Sequence, residues 1–184
     1  MKRLFLALDI PDAIKEALLA FQPKPGVGLR PLSREGLHLT LCFIGAVDIE
    51  RVHQAVRSVQ AREFSLQIKG LGRLHPARGG VLWAGVEPSE ELTRLQKRLS
   101  TALQQAGFQT EVREFRPHIT LARCKPGVSK GKIERFLAQG ERLELGPIRV
   151  REFGLFSSDT RPEGAVYRLE RSYPLRDSDE SEPA

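Results

Sequence analysis

Two short runs, HLTLC at residues 38–42 and HITLA at residues 118–122, constrain this chain more than any other feature. Each alternates polar and apolar letters at the period of a strand, where successive side chains point to opposite faces. His38 and Thr40 therefore share one face, and Leu37, Leu39 and Leu41 the other. His118 and Thr120, set against Ile119 and Leu121, repeat the arrangement. Any fold must bury one face of both strands and keep a histidine and a threonine together on the opposite face. With four histidines and six threonines in 184 residues, two histidines followed at the second position by threonine would arise by chance on the order of one time in a hundred.

The surroundings repeat as well. RLFLALDI reads as a strand, and PDAIKEALLAFQ as a helix with Pro11 in its first turn and Ile14, Leu18 and Phe21 on one face. After the first histidine strand, Asp48 is placed to cap a helix striped by Ile49, Val52, Val56 and Val59, and FSLQIKGL follows as a strand with Phe64, Leu66 and Ile68 inward. The second half spells the same order. GVLWAGV is a strand; Ser89 caps a helix with Leu92, Leu95, Leu99 and Leu103 on one face and Gly107 at its end. The second histidine strand, a short helix KIERFLAQ, the strand PIRVREFGLF and a last strand AVYRLERSYPL complete it. The expectation is one α+β domain, residues 1–176, of two similar lobes, about 3–71 and 81–175, each a small sheet backed by two helices. Exchange of elements between the lobes stays open.

Composition narrows the class. No run approaches 18 apolar residues, and MKRLFLALDIPD offers only about seven apolar positions before Asp9 and Pro11 interrupt it, so it reads as a strand and neither a signal nor a membrane span. Two cysteines, Cys42 and Cys124, lack the density of a disulfide scaffold and point to reduced thiols in a cytoplasmic protein. Four of the 23 acidic residues fall in the last eight, DSDESEPA, expected to be a disordered tail over residues 177–184; the rest carries 19 acidic residues against 29 basic ones. A body of that charge suits a polyanion such as nucleic acid. Nothing in the sequence calls for more than a monomer.

If the two histidine strands pack about a pseudo-twofold axis, their polar pairs face one another across a groove. Two opposed imidazoles supply a general base and a general acid, because a ring with an ordinary pKa near 6.5 is neutral or protonated around neutral pH. Threonine hydroxyls can donate to non-bridging phosphoryl oxygens. In-line displacement at phosphorus uses this set without a metal or any cofactor. Duplication of the motif weighs against a pair of ordinary core histidines. A His₂Cys₂ zinc site fails on geometry: His38 and Cys42, four apart on a strand, lie about 13 Å from one another, whereas zinc ligands sit ~2.0–2.3 Å from the ion.

Phe43 and Arg123 stand five residues past each histidine, where Phe can stack on a base and Arg can hold phosphate. Strict alternation puts both on the wrong face, so they reach the groove only if the strands end or bulge after the threonine. Arg116 shares the face of His118 by parity. His75 reads as an exposed loop residue, His53 as surface, and Trp83 as core or groove wall.

The paired HxT motifs, the second in the context FRPHITLAR, and the intervening VLWAGV strand resemble the 2H phosphoesterase superfamily, and within it the RNA 2',3'-cyclic phosphodiesterases, also called 2'-5' RNA ligases. The resemblance spans residues 1–172. It implies a bilobal α+β fold with two pseudo-symmetric antiparallel sheets, and hydrolysis of RNA 2',3'-cyclic phosphate ends to 2'-phosphates with weak reversible 2'-5' ligation. It also implies His118 as the base on water and His38 as the acid toward O3'. Two alternatives remain: a 2H phosphoesterase acting on a small cyclic nucleotide or ADP-ribose cyclic phosphate, and a non-catalytic RNA-binding module. The second has no use for symmetric HxT pairs and lacks an RNP-type aromatic signature.

Overall fold

In a computed structural model of the chain, residues 2–111 and 113–177 are described. The order is β1 (Lys2–Asp9), α1 (Asp12–Leu19), β2 (Leu29–Pro31), β3 (His38–Val47), α2 (Ile49–Val56), β4 (Phe64–Leu74), β5 (Val81–Val86), α3 (Glu90–Gln105), β6 (His118–Cys124), α4 (Lys130–Leu137), β7 (Glu144–Val150), β8 (Glu152–Arg161) and β9 (Gly164–Pro174). The fold is α+β, as expected. The strands form one antiparallel sheet ordered β7-β4-β5-β6-β3-β1-β8-β9, with β2 added to β6.

Two four-stranded halves meet at its centre through a single ladder pair, Leu39 on β3 with Ile119 on β6. The halves do not follow chain order. β4 pairs with β5 and β7, while β8 and β9 return to β1, so each histidine strand draws neighbours from elsewhere in the chain. The segment read as one strand, PIRVREFGLF, is two for the same reason. Its first part pairs with β4, its second with β1, and the chain crosses between the halves at Arg151. β2 went unread: three residues ending in proline carry no strand pattern.

The helices cover the face opposite the paired histidines and threonines. α2 packs on α3, α3 on β3, and α4 on β4. Leu92, Leu95, Leu99 and Leu103 of α3 are all 0% exposed, against Leu37, Leu39, Ile119 and Leu121, also 0%. Burying such a side chain contributes about 1.5–3 kcal/mol. The expected caps form: Ser89 Oγ accepts from the Leu92 N–H at 3.2 Å, Asp48 Oδ1 from the Arg51 N–H at 3.1 Å. Gly107, at φ 84°, closes α3 in the left-handed conformation that glycine adopts without strain. The acidic tail lies outside the described residues except for Asp177, and no helix among those described is long and apolar enough to cross a membrane.

Candidate active site

The Leu39–Ile119 pair fixes the site. In an antiparallel ladder, one step either way from that pair sets His38 opposite Thr120 and Thr40 opposite His118. β3 and β6 overlap only at these first residues and then run apart, so the two HxT motifs cross as pseudo-twofold mates with their histidines on the diagonal. Diagonal neighbours of a regular ladder lie about 7–8 Å apart, a gap that a phosphoryl group can fill. All four side chains are half-buried, whereas Leu39, Leu41, Ile119 and Leu121 between them are at most 3% exposed.

Both strands then bulge at the same place. Ala7 pairs with Thr40 but Leu6 with Cys42, leaving Leu41 as an extra residue; Trp83 pairs with Thr120 but Leu82 with Ala122, leaving Leu121 extra. The slip reverses the parity beyond it. Cys42 and Ala122 turn into the core, while Phe43, 58% exposed, and Arg123 come out on the face of the histidines. The condition under which both could reach the groove is met.

Each histidine ring is held by the carbonyl two residues before it. His118 Nδ1 donates to the Arg116 carbonyl at 2.7 Å, and His38 bonds the Gly36 carbonyl. For His118 this fixes the tautomer and leaves Nε2 for chemistry. The Arg116 guanidinium pairs with Glu114 at 3.2 Å, both side chains largely exposed.

His38 sits in an aromatic nest that sequence reasoning missed. Its ring centroid lies 4.9 Å from Phe5 and 5.0 Å from Tyr167, and Phe5 also stacks on Phe156 at 5.6 Å and approaches Phe43 at 6.1 Å. Parity along β1, which sets Phe5 with Asp9 away from Leu4, Leu6 and Leu8, could have marked Phe5; Tyr167 needs the β8–β9 pairing. Burial pushes His38 down to about 4, against the Gly36 hydrogen bond and Asp9, which favour the protonated ring, and with Lys15 and Arg123, which oppose it.

Trp83 forms the wall beside His118, ring centroids 6.2 Å apart. Its indole lies over Gly72, where a Cβ would come within 2.1 Å of the ring, and its buried Nε1 has no hydrogen-bond partner among the described residues. His75 is exposed in its loop, in left-handed conformation at φ 55°. His53 is less exposed than expected, half-buried and bonded to the Tyr173 hydroxyl at 3.0 Å. Cys42 and Cys124 are buried on the core side, and burial raises both thiols, Cys42 to about 12 despite a hydrogen bond from Gln96.

A crossed pair of imidazoles and hydroxyls on an accessible face, with a cation and an aromatic ring at its edges, is the equipment of a phosphoesterase. A family model of the 2'-5' RNA ligase superfamily matches residues 10–162. The RNA 2',3'-cyclic phosphodiesterase of Archaeoglobus fulgidus is 30% identical over 172 residues, 90% of this chain and 96% of its own. That of Thermotoga maritima is 31% identical over 181 residues, 91% and 92% of the two chains. Among solved structures, Escherichia coli LigT complexed with 3'-AMP has a TM-score of 0.77 at 27% identity, over 95% of this chain and 98% of LigT. The chain belongs to the 2'-5' RNA ligase superfamily, the 2H phosphoesterases.

Proposed function

We propose that this protein hydrolyses RNA 2',3'-cyclic phosphate ends to 2'-phosphate ends, with His38, Thr40, His118 and Thr120 as the catalytic set and no metal or cofactor. The observation that supports the reading is the Leu39–Ile119 pair, whose antiparallel register makes His38 the counterpart of Thr120 and Thr40 the counterpart of His118. The names of the Archaeoglobus and Thermotoga relatives support the same substrate.

In this mechanism water attacks phosphorus opposite O3'. His118 takes a proton from the water as the P–O bond forms, and His38 gives a proton to O3' as the P–O3' bond breaks, leaving the 2'-phosphate. Thr40 and Thr120 donate to the non-bridging oxygens, whose charge rises in the transition state. Phe43 stacks on the terminal base and Arg123 neutralises phosphate. A 5'-hydroxyl in the place of water, giving up its proton to His118 as O3' leaves, forms a 2'-5' linkage by the same route, so weak ligation and hydrolysis share one site. His38 must hold a proton to act as acid; the bound phosphate's negative charge, together with Gly36 and Asp9, works against the burial that lowers it in the free protein.

The purified protein is expected to open an oligoribonucleotide 2',3'-cyclic phosphate in excess EDTA and to yield only the 2'-phosphate. Loss of turnover on chelation with recovery on added zinc would overturn the metal-free mechanism, and a 3'-phosphate product would remove O3' as the leaving group.

A further inference from the structure

We propose that Tyr167 is a positioning residue for the acid of the reaction: brought in on the free end of the β8–β9 hairpin, its ring closes over the His38 imidazole and fixes it against Phe5. This rests on the cyclic phosphodiesterase reading above and assigns the residue that sets its acid apart from its base.

The β8–β9 hairpin outruns the sheet that carries it. The ladder of β1 with β8 reaches Ser158, opposite Arg3, whereas β8 and β9 go on pairing with one another through Asp159–Val166, Thr160–Ala165 and Arg161–Gly164. Among the described residues no third strand accompanies that end. A two-stranded ribbon alone is marginal in water, so its position depends on what it rests on. At the tip, the Arg30 guanidinium of β2 donates to the Glu163 carbonyl. At the base, Tyr167, the cross-strand partner of Ser158, meets Phe5 edge-on at 5.5 Å and His38 at 5.0 Å. The turn at Arg34–Gly36 touches the same ring: a Cβ on Gly36 would lie 3.4 Å from Tyr167 Cε2, and the Gly36 carbonyl is the one that bonds the His38 ring. Tyr167 thus covers both the imidazole and the group that orients it.

Ladder register does not produce this contact. His38 pairs with Asp9, and Tyr167 reaches Arg3 through Ser158, six residues away along β1 and about 20 Å in a flat sheet. The coil of the ribbon over the histidine face brings the rings together. His118 has no such cover among the described residues. Its ring neighbour is Trp83, 6.2 Å away on the adjacent strand, and β7, which takes the place of β9 in that half, contains no aromatic residue. One pseudo-symmetric pair of strands therefore presents two unlike imidazoles, and the hairpin makes the difference. A ring clamped between two others keeps one orientation, as delivery of a proton to a single oxygen requires.

The test compares Tyr167→Ala, Tyr167→Leu and Tyr167→Phe in the full chain. Proton NMR without substrate follows the His38 ring, identified by its loss in His38→Ala. The charges that bear on this ring, Asp9 of β1, Lys15 of α1 and Arg123 of β6, stay in place in all three variants. Alanine opens the ring to water, which favours its charged form, so its titration midpoint should rise from about 4 by roughly one pH unit or more. On a 2',3'-cyclic phosphate, kcat should fall about tenfold or more while KM changes by less than about twofold. On the same substrate with sulfur as the 3' bridging atom, whose thiolate leaves without a proton, variant and wild type should agree within about twofold. Phenylalanine, which keeps the ring, should restore the midpoint and kcat. Leucine reads the same quantities should the alanine variant fold poorly. A midpoint and kcat unchanged in both the alanine and leucine variants overturn the assignment. So does an equal loss on the oxygen and sulfur substrates, the mark of general structural damage, or an equal loss in the phenylalanine variant, which would give the role to the hydroxyl. Failure of the wild type to hydrolyse any cyclic phosphate would sink the activity reading, while the midpoint shift, read without substrate, would still show the clamp on His38.

Discussion

His38 is lodged between Phe5 and Tyr167, where a charged imidazole loses much of its hydration, and the ring titrates near pH 4 in the free protein. If it is the acid, the fraction of free protein carrying the needed proton falls as pH rises past about 4. kcat/KM, which reports the free enzyme, should therefore decline on its alkaline side from well below neutrality, and the corresponding limb of kcat should lie at higher pH because bound phosphate favours the proton. Coincident limbs would show that the substrate does not retune the ring. His38→Ala and His118→Ala should each lower kcat by at least ~10², with thermal midpoints showing the variants folded. A substrate with sulfur in place of the 3' bridging oxygen separates the two roles, since a thiolate leaves without a proton; it should rescue His38→Ala alone, and rescue of His118→Ala would exchange the assignments.

At the scale of elements, the matching bulges at Leu41 and Leu121 turn a rigid alternation into a site with edges. They were not legible in the sequence: one strand's letters show parity, but where an extra residue slips is settled by the partner, here β1 for one copy and β5 for the other. The HxT faces, the leucine stripe of α3 and its Ser89 cap were legible, because each depends on residues within a few positions. The split of β7 from β8 was not, since it follows from which edges were free. The slot beneath Trp83 belongs to this scale too. Gly72→Ala would put a methyl group 2.1 Å from the indole carbon it faces, so the ring must move. That variant should lose about 1–3 kcal/mol of stability. It should also change the emission of the chain's one tryptophan; an unchanged spectrum would mean that β4 yields instead.

For the whole molecule, 29 basic against 23 acidic residues predict that RNA affinity falls as salt rises, with log Kd linear in log salt and a slope set by the phosphates engaged. Salt-independent binding would show that stacking on rings such as Phe43 dominates. The half-sheet β7-β4-β5-β6 comes from one unbroken stretch, Phe64–Val150, whereas β1 and β3 precede it and β8 and β9 follow. On a ribosome releasing the chain from its N-terminus, the half bearing His118 has all four of its strands while β1 still shows a bare edge. Translation at ordinary speed adds the stretch from Arg151 to Pro174 in roughly one to five seconds. For that interval the nascent chain holds β1 open to any passing strand, and the half that carries His38 closes last.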